Sequence, residues 1–418
     1  MLDKLQNWHK SGAKLVLWDY WNMGGVYFNP PRIETVTNAI QPDMRTFRQL
    51  GVQSLFIEAE KDPVTPQNFL DLNYFLAAQL MINPDKDIEP LISIFIDNYY
   101  GPVAPELKIY FNIIRKGVKN HVGKQRTMRV GRWSFITPKF MLDSYKMLKA
   151  AEKKTAVNSV YRKRLHYEMI PLLWQILISR PENAKNFKKA GISIDALEKE
   201  CREYCHEFIM RYNPKKPERY LKKFEKKFAA LSAKLPVPKR FQKYSEGDIR
   251  VYGYPQFRPM PHVYGNVVKD PESPSGKAIK SSHPLAIHHG AKKTVTGKTG
   301  GGIRYAFRTT KFEVGSLDIK RYKNITLDKV PQDEKYHWFK IPKVEISSKC
   351  LLWGHCWAIQ FDLSQAYQLA DGVSDNNIWD VWFSAKFTGP GWVKGSKKQN
   401  AVYFDMVVLV RPNANLKR

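Results

Sequence analysis

Two short apolar runs decide how the first part of this chain folds: Ala13-Lys-Leu-Val-Leu-Trp-Asp-Tyr20 and Val52-Gln-Ser-Leu-Phe-Ile57. Gly12 precedes the first, and the polar triplet Glu58-Ala59-Glu60 ends the second. Apolar runs of this length, so bounded, read as buried strands. Between them Pro42–Leu50 has helical spacing and is followed by Gly51, the residue that most easily takes the turn past a helix end. Strand, helix and strand in quick succession make a βαβ unit, so the sequence predicts a parallel sheet or barrel.

Outward from this unit, helices dominate. Asp87–Tyr100 stops at Gly101-Pro102, and Ala104–Lys116 begins just beyond. Residues 137–232 carry long amphipathic stretches. In the last of them Tyr220, Phe224 and Phe228 recur every four residues, with Lys222, Lys223, Lys226 and Lys227 on the other face. That stripe reads as core and the lysines as a solvated face. Pro236-Val-Pro238 marks a linker. From about residue 250 the period becomes two. Trp379, Val381, Phe383, Ala385 and Phe387 alternate with Asp380, Trp382, Ser384 and Lys386, and Ala401–Val410 is a further strand, apolar on both faces. Short strands between Gly, Pro and Asn turns predict an antiparallel sandwich.

With 43% hydrophobic and 13% aromatic residues over 418 positions, the chain has the material for two or three packed cores and not the composition of a disordered one. No run of about 18 apolar residues is present, so no membrane span is expected. The stretch from Met1 to Trp8 lacks the apolar segment of a signal peptide, so the chain as written is not expected to be exported. Cys201 and Cys205 lie beside His206, and Cys350 and Cys356 flank Trp353. Neither pair has zinc spacing, so they read as packed or free thiols. The basic loop Lys292–Gly302 lacks the full P-loop spacing, and His283, His288 and His289 have no carboxylate partner nearby in sequence. No metal and no cofactor is expected.

The net charge of +29 is uneven: residues 1–110 hold 9 Lys and Arg against 13 Asp and Glu, residues 111–250 hold 34 against 13, and residues 251–418 hold 25 against 13. Such a surface attracts any polyanion, whether nucleic acid, anionic lipid or acidic polysaccharide. A lineage of lysine-rich proteins gives the same numbers. No nucleic-acid reading module is present, so nucleic acid is not the expected partner.

In a parallel α/β barrel, chemistry sits at the C-terminal strand ends. Asp19 lies at the end of the first strand, and Glu58 and Glu60 follow the second. Trp18, Tyr20, Trp21, Tyr27 and Phe28 crowd the same ends. Aromatic rings stack on the C–H faces of sugars, and carboxylates serve glycoside cleavage as acid, base or nucleophile. Asp19, Glu58 and Glu60 are therefore the candidate catalytic residues, and Trp18, Tyr20, Trp21 and Tyr27 the candidate substrate-binding ones. The plainer alternative is that each acid caps a helix or pairs with Arg32, Arg45 or Arg48. In the later part, Trp338 beside His337, Trp353 and Trp357 around His355, and Trp382 are further candidate sugar platforms, with strand packing as the alternative for each.

Trp18-Asp-Tyr20, Gly51–Glu58, Phe69–Leu80 and Asn98-Tyr-Tyr-Gly-Pro-Val-Ala-Pro105 together resemble a bacterial family named domain of unknown function 4838, whose core is similar to the barrel of α-glucuronidases. The later segments Asp270–Ala278, Lys335–Lys340, Trp379–Pro390 and Ala401–Asp405 resemble the carbohydrate-binding-like sandwich that follows it. The resemblance implies a multi-domain α/β plus all-β protein. Residues 1–125 would be the C-terminal part of a (β/α)8 TIM-type barrel, residues 126–235 a helical domain, and residues 250–411 a jelly-roll-like antiparallel β-sandwich. It implies a polysaccharide-degradation protein that acts on or binds an oligosaccharide or polysaccharide, neutral or acidic, with Asp19 and Glu58 as the family's carboxylates. An eight-stranded barrel needs about 250 residues. Only two of its strands are readable before residue 60, so the expected chain is a truncated glycoside hydrolase, inactive alone, from a periplasmic or secreted parent. Non-catalytic glycan binding is the first alternative and polyanion binding the second.

Overall fold

The structure is a computed structural model and describes residues 2–20, 37–58, 67–120, 133, 135–212, 215–254, 256–259, 265–281, 311–316, 322–326, 331, 333–346, 351–354, 359–362, 369–370, 373–374, 377–388 and 401–414. The chain forms two compact units: Met1–Lys226 with Leu369–Val373, and Lys227–Gln368 with Ser374–Arg418. The fold is mixed: helices in the first unit, and a β-sandwich-like part with a six-stranded antiparallel sheet in the second.

In the first unit α1 (Leu2–Lys10) leads into β1 (Leu15–Tyr20), α2 (Thr37–Gln49) and β2 (Val52–Glu58). The two strands pair in parallel, as the βαβ reading requires. Helix α2 starts five residues earlier than its proline suggested. Pro42 falls in the second turn, where its missing N–H removes only one helical hydrogen bond. Gly51 closes α2 with φ +65, a conformation that costs glycine little and other residues more.

The helices α3 (Leu70–Ile82), α4 (Ile88–Tyr100), α5 (Ala104–Lys119), α6 (Pro138–Glu152), α7 (Val160–Ile178), α8 (Arg180–Lys189), α9 (Ile194–Tyr212) and α10 (Pro217–Ser232) follow. Their starts are encoded locally. The Asp87 carboxylate accepts from Glu89 N at the head of α4, Thr137 Oγ1 from Phe140 N at α6, and Ser159 Oγ from Arg162 N at α7. Helix α7 is the centre of the unit. From Tyr167 to Trp174 every residue is buried, the pattern of a helix enclosed on all sides. Phe224 and Phe228 of α10 are buried, as their four-residue spacing predicts.

In the second unit β3 (Ile249–Gly253), β4 (Arg258–Pro259), β5 (Gly265–Lys269), β6 (Lys277–Ser281), β7 (Lys311–Ser316), β8 (Tyr322–Thr326), β9 (Tyr336–Glu345), β10 (Leu351–Gly354), β11 (Ile359–Asp362), β12 (Ile378–Thr388) and β13 (Ala401–Val410) make two antiparallel sheets. One has the order β5-β6-β13-β12-β9, with β3 also pairing to β13; the other runs β4-β11-β10-β7-β8. The apolar positions of the period-two reading of β12, Trp379, Val381, Phe383 and Ala385, are buried, and so are Ser384 and Lys386 of its other face. With Val402, Phe404 and Leu409 of β13 they form the main core of this unit.

Among the described residues no helix is long and apolar enough to cross a membrane. Nor, among them, is any group of three or more His, Cys, Asp or Glu placed to hold a metal ion. Cys201 and Cys205 are buried free thiols.

Candidate functional site

The strand ends singled out by sequence resolve into two faces. In the parallel register Trp18 pairs with Phe56, Asp19 with Ile57 and Tyr20 with Glu58. Since alternate residues take opposite faces of a strand, positions 16, 18, 20, 54, 56 and 58 share one face, and positions 17, 19, 55 and 57 the other. On the first face Val16, Trp18 and Phe56 are exposed, Trp18 at 64% and Phe56 at 56%. The two rings meet edge to face with centroids 5.2 Å apart. A cluster of large apolar side chains open to solvent is the kind of surface that marks a binding site.

The second face carries Asp19, which lies close enough to α2 to push up the carboxyl of Asp43 there, after the larger effect of that group's own burial. Asp19 and Glu58 therefore occupy alternate faces of neighbouring strands, a relation that strand-end positions alone do not reveal. Glu60, Trp21 and Tyr27 lie outside the described residues, and of Tyr20 and Glu58 the backbone positions are described.

The tryptophans of the second unit are placed differently from an open platform. Trp338 and Trp382 are partly buried and pack edge-on against Phe241, with centroids 4.8 and 5.6 Å away. Arg240 and Lys340 lie over the Trp382 ring at 4.5 and 5.5 Å. Trp353 lies on β10, which is described by its backbone, and Trp357 and His355 lie outside the described residues.

Sequence reading missed a buried, strongly perturbed acid of the first unit. Glu168 of α7 is buried and accepts hydrogen bonds from the Tyr100 hydroxyl at 2.7 Å, the Phe69 N–H at 2.9 Å and Asn68 Nδ2 at 3.2 Å. Burial lifts its pKa to about 7 against the pull of these three donors. The signal was present: an acid directly before the apolar run Met169–Trp174, in the half of the helix that carries no other charge. A small cleft opens beside it, lined by Asp71, Tyr99, Lys163, Arg164, Tyr167 and Arg211 among others. There the Arg164 guanidinium lies 3.8 Å from the Tyr99 ring centre and donates to the Tyr99 carbonyl at 2.6 Å.

The second unit has its own buried ionic group. Lys386 Nζ lies 2.7 Å from Asp270 and 2.8 Å from Glu272, and the Tyr336 hydroxyl donates to Asp270 at 2.9 Å. Asp405, at the next strand, is pushed up to about 7 by burial, against a hydrogen bond from Ser384.

No curated protein matches the chain. Residues 1–112, from α1 through the first half of α5 and including both strands of the exposed aromatic face, match the family model described as domain of unknown function (DUF4838).

Proposed function

We propose that this protein binds glycans in polysaccharide degradation, with the exposed Trp18–Phe56 face of β1 and β2 as the sugar platform. The carrying observation is that edge-to-face pair, held open on a parallel sheet with position 58 next to it on the same face. The face of each ring offers the flat apolar contact that sugar C–H faces require. The resemblance of this segment to a glycosidase-like barrel supports the same reading. Hydrolysis by Asp19 and Glu58 acting as a pair is less well supported, because two-carboxylate cleavage needs both groups flanking one bond. Their alternate faces favour binding over self-contained catalysis.

Isothermal titration of the full chain against a panel of neutral and acidic oligosaccharides tests the proposal. At least one glycan should bind, and Trp18→Ala should weaken it at least tenfold while leaving the melting temperature in place. Silence across the panel, or binding indifferent to Trp18→Ala, overturns it.

A further inference from the structure

We propose that His166 is a proton-operated latch, tying α6 and α9 to α7 while its ring is an imidazolium and loosening that junction when the ring is neutral. The ring lies between two carboxylates from different helices: Nε2 is 2.9 Å from Glu152 Oε1 of α6, and Nδ1 is 3.0 Å from Glu207 Oε2 of α9. Its plane stacks on Tyr204 of α9, with centroids 3.8 Å apart and planes inclined by 11°. An ionised carboxylate only accepts hydrogen bonds, and a neutral imidazole has one N–H and one bare nitrogen. Both contacts are therefore satisfied only when both ring nitrogens carry protons. Deprotonation turns one of them into a lone pair facing an anion.

The surrounding charges keep the carboxylates ionised and leave the ring as the group that changes. On the α6 side, Lys149 bonds Glu152 and also reaches Glu200 at 2.7 Å and the Tyr204 hydroxyl at 3.2 Å. From α7 itself, Arg162 lies 4.0 Å from Glu152. Hydrogen bonding by His166, opposed by burial and helped by Lys149, holds Glu152 down at about 2. On the α9 side Glu207 is held low chiefly by His166, with Lys163 and Arg211 contributing at longer range. Burial pulls the imidazole down, but the bonds to Glu152 and Glu207 outweigh it and raise its pKa above the ordinary value. A raised folded-state value means the stabilisation is complete below the unfolded pKa of about 6.5 and is lost as pH rises through the folded one. Lys149 stays charged throughout and keeps α6 tied to α9 through Glu200, so the contacts that loosen are those of the α7 ring with Glu152 and Glu207.

The test compares the full chain with His166→Gln and Glu207→Gln across pH 5 to 9. At pH 5 His166→Gln should melt lower by roughly 2–4 °C or more, and the difference should vanish by pH 9. Amide exchange near residues 204–207 should speed up with pH in the wild type but be fast at every pH in His166→Gln. Nitrogen chemical shifts of the wild-type ring should report two N–H groups at pH 6, and Glu207→Gln should lower that titration midpoint. Should His166→Gln fail to fold, the ring titration in the wild type and in Glu207→Gln decides alone. A melting difference constant with pH, a neutral ring at pH 6, or a midpoint unmoved by Glu207→Gln overturns the latch.

Discussion

The Tyr100 hydroxyl donates to the Glu168 carboxylate across 2.7 Å in a core that water does not reach, although the two residues lie on different helices and 68 positions apart. Both are essentially inaccessible to solvent. The carboxyl is thus held by three donors and still lifted to about 7, because burial outweighs them. An acid whose folded pKa exceeds its unfolded one binds its proton more tightly in the fold. Its contribution to stability is greatest below about 4.5, falls as pH rises, and levels off above about 7. The wild type should therefore lose stability between pH 5 and pH 8, by up to about 3 kcal/mol at about 1.36 kcal/mol per pH unit. Glu168→Gln, which mimics the protonated group, should remove most of that slope. Glu168→Ala leaves three donors unanswered, at roughly 1–3 kcal/mol each, and removes the same slope, so its cost relative to the wild type should be larger at pH 5 than at pH 8. Urea melts at both pH values read these outcomes.

Gly101 ends α4 with φ +54, and a Cβ built there would lie 2.6 Å from the Tyr161 ring. Gly101→Ala thus combines a backbone conformation that side chains resist with a collision against a neighbouring helix. A loss of roughly 2–4 kcal/mol is expected. Gly191→Ala is the control: its φ is +73 but nothing lies within 4 Å, so it should lose only about 1 kcal/mol.

Lys386 and Asp270 are 11% and 5% exposed, so their ion pair is shielded from water. Lys386→Met would leave a buried carboxylate supported only by the Tyr336 hydroxyl and backbone donors. Removing one partner of a buried pair costs about 3–5 kcal/mol. Asp270 is held below the usual carboxylate range, since Lys386 and Tyr336 overcome its burial. The damage should accordingly shrink in acid, where Asp270 is protonated in the variant. Denaturant unfolding followed by amide exchange in β12 and β13 checks both points.

The alternate faces of β1 and β2 separate the two strand-end acids. Glu58→Gln should weaken glycan binding, because position 58 shares the face of Trp18 and Phe56. Asp19→Asn should leave binding unchanged and let the Asp43 carboxyl drop toward its usual value, because a like charge has gone. Titration calorimetry and a carboxyl-detected pH titration distinguish the two variants.

The sequence by itself determined the local elements. The parallel βαβ start, the helix ends at Gly51 and Gly101, the Phe224–Phe228 stripe, the period-two strand β12 and the strand β13, apolar on both faces, all follow from short-range pattern, since backbone geometry fixes which residues share a face. It determined which residues could meet sugar only as far as the strand ends. Whether Asp19 and Glu58 share a face depends on the pairing register, which a shift of one residue would reverse. Only the tertiary structure decided that Trp338 and Trp382 pack around Phe241. Likewise, only the fold brought Asn68, Tyr100 and Glu168 together, and His166 between Glu152 and Glu207. Such groups come from helices far apart in the chain, and the burial that perturbs them arises only when those helices pack.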